Sequence, residues 1–126
     1  MTMYLLDTHI LLWWLEDPRK LSPGARKAIA DPQNTVFTSV ASLWEMAIKA
    51  RLGKLELPGD PLEAIGQEGF RLLDIKARHT LAIQQLAEHH RDPFDHLLIA
   101  QAITEKLTLI SRDGRFSAYN VPLLNG

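Results

Sequence analysis

Four acidic residues of this chain each follow an apolar strand or stand near the start of a helix. They are Asp7, Glu45, Asp95 and Asp113. Because the carboxyl ends of parallel strands meet at one edge of a sheet, we expect the four carboxylates to converge there. Like charges gathered in this way repel one another unless a cation lies between them. The pattern therefore indicates a divalent metal ion and chemistry on phosphate groups.

Magnesium suits such a set of side chains, because it takes oxygen ligands and usually keeps several waters. Three or four carboxylates could place one ion or two, activate a water and neutralise a leaving oxygen. The neighbouring helix N-termini would also favour a substrate phosphate. The sequence thus predicts metal-assisted hydrolysis of phosphodiesters.

Each acid also has a purely structural explanation. Asp7 and Asp92 are suitable helix N-caps, and Asp113 begins a common Asp-Gly turn. Ser42 and Glu45 match a capping box, in which Glu45 would reach back to the cap. Helices that start at one sheet edge also bring acids together, so both explanations stay open. Glu45 is the critical residue, because its side chain cannot close the box and bind a metal well.

Short apolar runs alternate with longer helical periods, which predicts an α/β fold with a parallel sheet covered by helices. The predicted strands are Met3–Leu6, Val36–Thr38, Phe70–Leu73 and Leu107–Ile110, with Val121–Leu124 as a fifth strand that Pro122 confines to an edge. Six helices are expected between them. The first three are Thr8–Glu16, a helix opened by Ser22-Pro23, and a helix over Leu43–Ile48 that Gly53 ends. The other three are a short helix over Leu62–Ile65, a helix over Leu81–Ala87 that ends near His89, and a helix opened by Asp92-Pro93. We expect one domain over residues 1–126.

Composition narrows the classes of function. The 126 residues are 46% hydrophobic and 23% charged, with a net charge of −1 and no cysteine. Disulfides, thiolate zinc sites and cysteine nucleophiles are excluded, and any contact with nucleic acid must be local. The apolar stretch Ile10–Leu15 is too short to span a bilayer, so we expect a cytoplasmic protein with no membrane association.

Four segments occur in an order and at a spacing that resemble a known family. They are Leu5–Thr8, Ser39–Glu45, His90–Ala102 and Leu109–Asp113. Together they resemble a PIN-domain ribonuclease, and most closely the VapC-type toxins of bacterial toxin–antitoxin pairs. The resemblance implies a three-layer α/β/α sandwich with a central parallel sheet of four to five strands. It further implies a Mg²⁺- or Mn²⁺-dependent endoribonuclease that cleaves RNA with a metal-activated water, is blocked by a cognate antitoxin and forms a homodimer.

The resemblance also assigns roles to residues. Asp7, Glu45, Asp95 and Asp113 match the catalytic and metal-binding positions. Four further residues match supporting positions. Thr8 and Ser39 would orient the acids or a bound water, and Ser111 stands where the family often has threonine. Asp92 is a helix cap or an outer acid. His96 stands where these toxins often carry arginine. If it contacts RNA phosphate, that contact should weaken as the pH rises through the histidine pKa; otherwise His96 is a solvated helix residue.

Several other side chains have two interpretations each. Lys49, Arg91, Arg112 and Arg115 are candidate RNA contacts or simply solvated charges. The three tryptophans could stack on bases, but core packing is the first expectation for Trp13, Trp14 and Trp44, with one of the adjacent pair partly exposed toward a partner. A zinc site of Asp92 with His89, His90 and His96 is disfavoured, because the spacing matches no compact zinc motif.

Three rival functions remain. A receiver-like phosphoacceptor domain is disfavoured. Such a domain would resemble the response regulators, which carry an adjacent acidic pair on the first strand and a lysine after the last one. Here the first strand ends in a single acid, Asp7, and no lysine follows Lys106. A PIN nuclease that processes RNA outside any toxin pair, and a non-catalytic PIN-fold binding module, are the alternatives to a toxin.

Overall fold

The structure is a computed structural model that describes residues 1–57, 59–87 and 92–126. In these ranges five parallel strands form one sheet in the order β3-β2-β1-β4-β5. The strands are β1 (Met3–Leu6), β2 (Thr35–Ser39), β3 (Arg71–Leu73), β4 (Thr108–Ser111) and β5 (Leu123–Asn125). The α/β fold with a parallel sheet is confirmed, and β5 lies at an edge, as Pro122 predicts.

Six α-helices connect these strands in the described part of the chain. They are α1 (Thr8–Glu16), α2 (Pro23–Ala30), α3 (Val40–Arg51), α4 (Pro61–Gln67), α5 (Ala77–Ala82) and α6 (Pro93–Glu105). Short 3₁₀ helices cover Pro18–Lys20, Ile83–Gln85 and Gly114–Ala118. The longest helix, α6, has 13 residues. In the described ranges, none of the helices has both the length and the apolar character needed to cross a membrane.

The central strands are buried on both faces, which explains their continuous apolar sequences. Leu5 of β1 and Leu109 of β4 pack with residues of α6 in one cluster. Leu6 and Ile110, the next residues along the same strands, pack in a second cluster with residues of α1, α2 and α4. The alternation of side chains along a strand thus divides the core into two layers, one on each face of the sheet.

The strand register brings the first residues after the strands to one edge. Leu6 pairs with Thr38 of β2 on one side and with Ile110 of β4 on the other. The Asp7 amide extends this ladder, because it donates to the Ile110 carbonyl oxygen at 3.0 Å. Asp7 therefore stands at the carboxyl edge of the central strand, as the sequence predicts.

The helix expected over Leu81–Ala87 is wrong in its position. Helix α5 begins at Ala77 and ends at Ala82, and a 3₁₀ helix follows it. The cause is a local cap: the Lys76 amide donates to Nδ1 of the His79 side chain at 3.0 Å, which starts the helix earlier. The predicted helix end near His89 lies outside the described residues.

Candidate metal centre

Asp7 stands in the N-cap position of α1, yet its side chain makes no capping hydrogen bond within the described residues. Its Oδ2 instead accepts a hydrogen bond from the Ser111 hydroxyl at 2.8 Å. Burial raises the pKa of the Asp7 carboxyl above its ordinary value, and the Ser111 hydrogen bond opposes part of that shift. The capping explanation therefore does not account for this side chain, which is directed to the sheet edge.

Ser111, the last residue of β4, connects two of the predicted acids. Its Oγ donates to Asp7 and accepts from the Asp113 amide at 3.1 Å. One hydroxyl thus fixes both the Asp7 carboxylate and the backbone that carries Asp113. This geometry agrees with the supporting role that the resemblance implies for Ser111.

The capping box predicted for Ser42 and Glu45 is wrong. The N-cap of α3 is Ser39, the last residue of β2, whose Oγ accepts from the Ala41 amide at 2.9 Å. The helix follows the strand without a loop, so Glu45 falls in the second turn rather than the first. Glu45 is buried, with 9% of its surface exposed, and its carboxylate lies 3.0 Å from the Lys49 ammonium. Glu45 therefore does not cap α3, and its carboxylate is available for a role in the acidic site.

Asp92 and Asp95 divide two tasks at the start of α6. Asp92 is the N-cap, and its Oδ1 accepts from the amides of Phe94 at 2.9 Å and of Asp95 at 3.4 Å. The predicted role of Asp92 as a cap is confirmed. Asp95 stands in the first turn of the helix and is buried, with 8% of its surface exposed. Its carboxylate lies near the edge of the sheet.

Electrostatic coupling shows that the acids share one neighbourhood. The pKa of Asp95 is raised from 3.8 to about 7, first by burial and then by the charges of the surrounding acids. Those acids are Asp92, Asp7, Asp113 and Glu45, in decreasing order of effect. The structure therefore places the other three carboxylates that the sequence singled out within electrostatic range of Asp95.

Two side chains of the protein itself offset part of this negative charge. Arg115 Nη2 lies 2.6 Å from Asp113 Oδ2 and 3.8 Å from Asp95 Oδ2. Arg115 Nε also donates to Asp113 at 3.0 Å, and the ion pair raises the pKa of the Arg115 guanidinium. Lys49, as noted, pairs with Glu45. Arg115 and Lys49 were expected as RNA contacts or solvated charges, and in this structure they pair with site acids.

The ion pairs of Arg115 with Asp113 and of Lys49 with Glu45 determine how the carboxylates of the site are arranged. Across residues 1–57, 59–87 and 92–126, no three acidic or histidine side chains converge closely enough to hold one ion as they stand. The acids are near enough to raise the pKa of Asp95, but Asp113 and Glu45 each face a cation of the chain. Binding a metal ion would require these two carboxylates to exchange partners.

The hydroxyls of Thr8 and Ser39 act through other side chains. Thr8 Oγ1 donates to Ser42 Oγ at 2.9 Å, and Ser42 lies one helical turn before Glu45 on the same face of α3. Ser39 Oγ donates to the buried Gln101 Oε1 at 2.6 Å. These two hydrogen bonds join α1 to α3 and the N-cap of α3 to α6, and neither partner is an acid.

The candidate RNA contacts have different surroundings. The half-buried His96 ring lies edge-on to Tyr119, with centroids 6.2 Å apart, so it is not a fully solvated residue. The Arg112 guanidinium donates to the backbone carbonyls of Gly126, at 2.7 Å, and of Lys20. Arg91 lies outside the described residues, as do His89 and His90 of the zinc alternative. RNA binding by these side chains stays a prediction.

Core packing is the wrong expectation for Trp44. Trp13 and Trp14 are half-buried, but Trp44 is 55% exposed and lies 5.0 Å from the Phe94 ring in an edge-on contact. Trp44 and Phe94 directly precede the two acids Glu45 and Asp95. An aromatic pair of the exposed Trp44 and the half-buried Phe94 therefore flanks the acidic cluster on the side of α3 and α6.

Sequence reasoning missed Gln101 and the role of Ser42. Gln101 is fully buried and joins Ser39 to the Asp74 carbonyl and to the His79 ring. A signal for Gln101 exists, because it is the single polar residue in the run Leu97–Ala102. Ser42 was interpreted as a cap, and nothing in the sequence shows its contact with Thr8 across 34 positions.

Comparison with known proteins decides the family. The sequence model of the PIN domain matches residues 4–122, which is nearly the whole chain. The chain belongs to the PIN-domain family. The six α-helices, the strands β2, β3 and β4, most of β1 and all four acids of this PIN domain lie inside the matched range, and β5 follows it.

Individual relatives agree with this family. Over 125 residues the PIN domain is 27% identical to ribonuclease VapC22 of Mycobacterium tuberculosis, covering 97% of this chain and 95% of that protein. VapBC2 of Rickettsia felis bound to a promoter DNA fragment has the same fold, with a TM-score of 0.74, 19% identity and 98% of each chain covered. A toxin–antitoxin complex from Klebsiella pneumoniae matches with a TM-score of 0.63, 21% identity, and 96% and 95% coverage. The predicted α/β/α sandwich is confirmed.

Proposed function

We propose that this PIN domain is a VapC-type toxin, an endoribonuclease that requires a divalent metal ion and that a cognate antitoxin inhibits. The observation that carries the proposal is the group of Asp7, Glu45, Asp95 and Asp113 at one sheet edge, where burial first and then the charges of the neighbouring acids raise the pKa of Asp95. Its likeness to a ribonuclease and to toxin–antitoxin complexes supports RNA as the substrate and an antitoxin as the partner.

The donor set fits Mg²⁺ or Mn²⁺. Hard divalent ions of this kind take carboxylate oxygens, and four carboxylates in one neighbourhood supply more negative charge than the two cations of the chain offset. Asp7, Asp95 and Asp113 would hold the ion together with Glu45. When bound, the ion supplies Lewis-acid activation of water and neutralises charge that develops on the phosphodiester.

The remaining tasks fall to residues of the chain. Ser111 holds the Asp7 carboxylate in one orientation and favours its charged form. Asp95, whose pKa is raised by burial and by the neighbouring acids, would give up its proton to a bound cation, because the cation would offset the repulsion from those acids. Arg115 is 57% exposed and is well placed to release Asp113 and contact an RNA phosphate instead.

The antitoxin rests on the likeness to toxin–antitoxin complexes, and the homodimer stays an expectation from the family resemblance. The described chain nevertheless presents an aromatic pair, the exposed Trp44 and the half-buried Phe94, next to two site acids. A partner that covered this pair would also block access to Glu45 and Asp95. That arrangement is consistent with inhibition by a protein bound beside the site.

Mapping of RNA ends tests the function directly. The chain is expressed alone, and new RNA ends are sequenced and compared with those from an Asp7→Asn variant of equal thermal stability. We expect discrete internal cuts that carry 5′-phosphate ends, are absent in the variant and are reproduced by purified protein with Mg²⁺. Identical RNA ends in both samples, with antitoxin binding retained, would favour a non-catalytic binding module instead.

A further inference from the structure

An open pocket of about 270 Å³ adjoins the acidic cluster. Its lining residues are Asp7, His9, Trp13, Arg112 and Asp113. Asp7 and Asp113 belong to the proposed metal centre, so whatever enters the pocket lies next to the reacting phosphate. The other three side chains each present a planar group, and none has a role in the mechanism above.

Trp13 lies between the other two planar groups, with the Arg112 guanidinium over its ring and the His9 ring tilted against it. The Arg112 guanidinium carbon lies 4.6 Å from the centroid of the Trp13 ring. Hydrogen bonds to the Gly126 and Lys20 carbonyls hold the guanidinium in that position. The exposed His9 ring lies 5.9 Å from Trp13 at an interplanar angle of 43°. Arg112 is therefore a fixed planar surface rather than a mobile cation that reaches for phosphate.

We propose that this pocket binds a nucleobase of the RNA, from a nucleotide adjacent to the cleaved phosphate, by stacking against His9 and the Trp13–Arg112 pair. The inference rests on the proposed function and assigns a substrate contact to it. Unpaired bases commonly stack on aromatic rings and on arginine guanidinium planes. A neutral base also suits a pocket with two carboxylates in its wall, whereas a second phosphate would be repelled by Asp7 and Asp113.

A peptide side chain from a protein partner is the other occupant of this size. The observations favour a base, because three of the five lining residues, His9, Trp13 and Arg112, carry planar side-chain groups. Planar groups match the flat shape of a base more closely than that of a peptide side chain.

A scan with abasic nucleotides tests the inference. A short oligoribonucleotide that spans a mapped cleavage site is prepared intact and with one base removed at each successive position. Cleavage by the wild-type protein should fall about five- to hundredfold at one position beside the cut, the range expected for one stacked base. His9→Ala, at an exposed position, should lower cleavage of intact RNA by a similar factor and should lose the sensitivity to that abasic position. Trp44→Ala is the matched control, an exposed aromatic outside the pocket, and should keep the penalty at that position.

Binding distinguishes this inference from the proposed function. The same RNA series is titrated against the Asp95→Asn protein, with and without His9→Ala, by fluorescence anisotropy. A loss of affinity at one abasic position that His9→Ala removes would support the base pocket, even if the wild-type protein cuts no RNA. The absence of cleavage would refute only the nuclease. Cleavage with no sensitive position, or with a penalty unchanged in His9→Ala, would overturn the base pocket and leave the nuclease intact. The same unchanged profile is expected if a peptide side chain occupies the pocket.

Discussion

The Ser111 hydroxyl donates a 2.8 Å hydrogen bond to Asp7 Oδ2 and joins the ends of the two central strands, β4 and β1. Both residues are buried, so water replaces this bond poorly. The bond favours the charged carboxylate against the burial that raises its pKa. The bond thereby favours the charged form of Asp7, which is the form that a metal ion requires.

Removal of this hydroxyl should therefore weaken catalysis. We expect Ser111→Ala to lower kcat/KM for RNA cleavage by about ten- to a hundredfold, since a hydrogen bond to a charged group contributes about 1.5–3 kcal/mol. The lower limb of the pH profile should also move to higher pH. Ser111→Thr keeps the hydroxyl and should restore most of the activity. A threonine variant as impaired as the alanine variant would show that the bond to Asp7 is not the cause.

Asp95 makes the stability of the metal-free protein depend on pH. Its folded pKa of about 7 lies above its ordinary value of 3.8, so the neutral form is the one that folding favours. The contribution of Asp95 to the free energy of unfolding is complete below about pH 4 and is lost as the pH rises through about 7. We expect a lower melting temperature at pH 8 than at pH 5.5 in EDTA.

Two comparisons isolate Asp95 as the source. Asp95→Asn should melt higher than wild type at pH 8, by a smaller margin at pH 5.5 and almost equally near pH 4, because the amide stays neutral while the wild-type carboxyl loses its contribution as the pH rises. Mg²⁺ should raise the wild-type melting temperature more at pH 8 than at pH 5.5, since protons compete with the metal ion. A wild-type melting temperature independent of pH over this range would refute the raised pKa.

Much of the fold follows from local sequence, because each strand and cap depends on neighbouring residues. Met3–Leu6 and Thr8–Glu16 are predicted with their exact bounds, and Ser22 and Asp92 cap the expected helices. The prediction that Ser42 caps α3 is wrong because a second serine, Ser39, can also cap this helix. Ser39 meets the first free amides of the helix three positions before Ser42 can. Sequence distance alone does not decide between them.

The site is predictable in its acids but not in their partners. Asp7, Glu45, Asp95 and Asp113 follow from the positions of strands and helix starts. The contacts of Ser39 with Gln101 and of Thr8 with Ser42 join residues 62 and 34 positions apart, and no local pattern indicates them. Trp44 was expected in the core because its helix is apolar, yet the structure leaves it on the surface.

The contact between Ser39 and Gln101 should be visible in stability. Ser39→Ala removes the α3 cap and leaves Gln101 Oε1 without this buried donor. We expect a loss of about 2–4 kcal/mol in the free energy of unfolding, the sum of a cap and an unsatisfied buried group. Ser22→Ala removes the α2 cap at a more exposed position and should cost only about 1 kcal/mol. Equal losses in urea titrations of the two variants would contradict a structural role for Gln101.

Arg115 competes with a metal ion for Asp113. Arg115→Gln should strengthen Mn²⁺ binding by about two- to fivefold, because an exposed ion pair contributes about 0.2–1 kcal/mol. Arg19→Gln breaks a similar ion pair with Asp17 that lies outside the site and serves as the matched control. Calorimetric titration should show a change for Arg115→Gln alone. Weaker Mn²⁺ binding in Arg115→Gln would show that the guanidinium supports the metal site instead of occupying it.

The most direct test of the account is a calorimetric titration of Mn²⁺ at pH 8 into the wild-type protein and four variants. These are Asp7→Asn, Glu45→Gln, Asp95→Asn and Asp113→Asn, with Asp92→Asn as a control that keeps a capping side chain. We predict saturable binding to wild type and to the control, and affinity at least about tenfold lower in each of the four variants, because each loses a charged oxygen ligand. Absence of Mn²⁺ binding to the folded wild-type protein, or affinities unchanged in all four variants, would contradict the assignment of this acidic cluster as a metal centre.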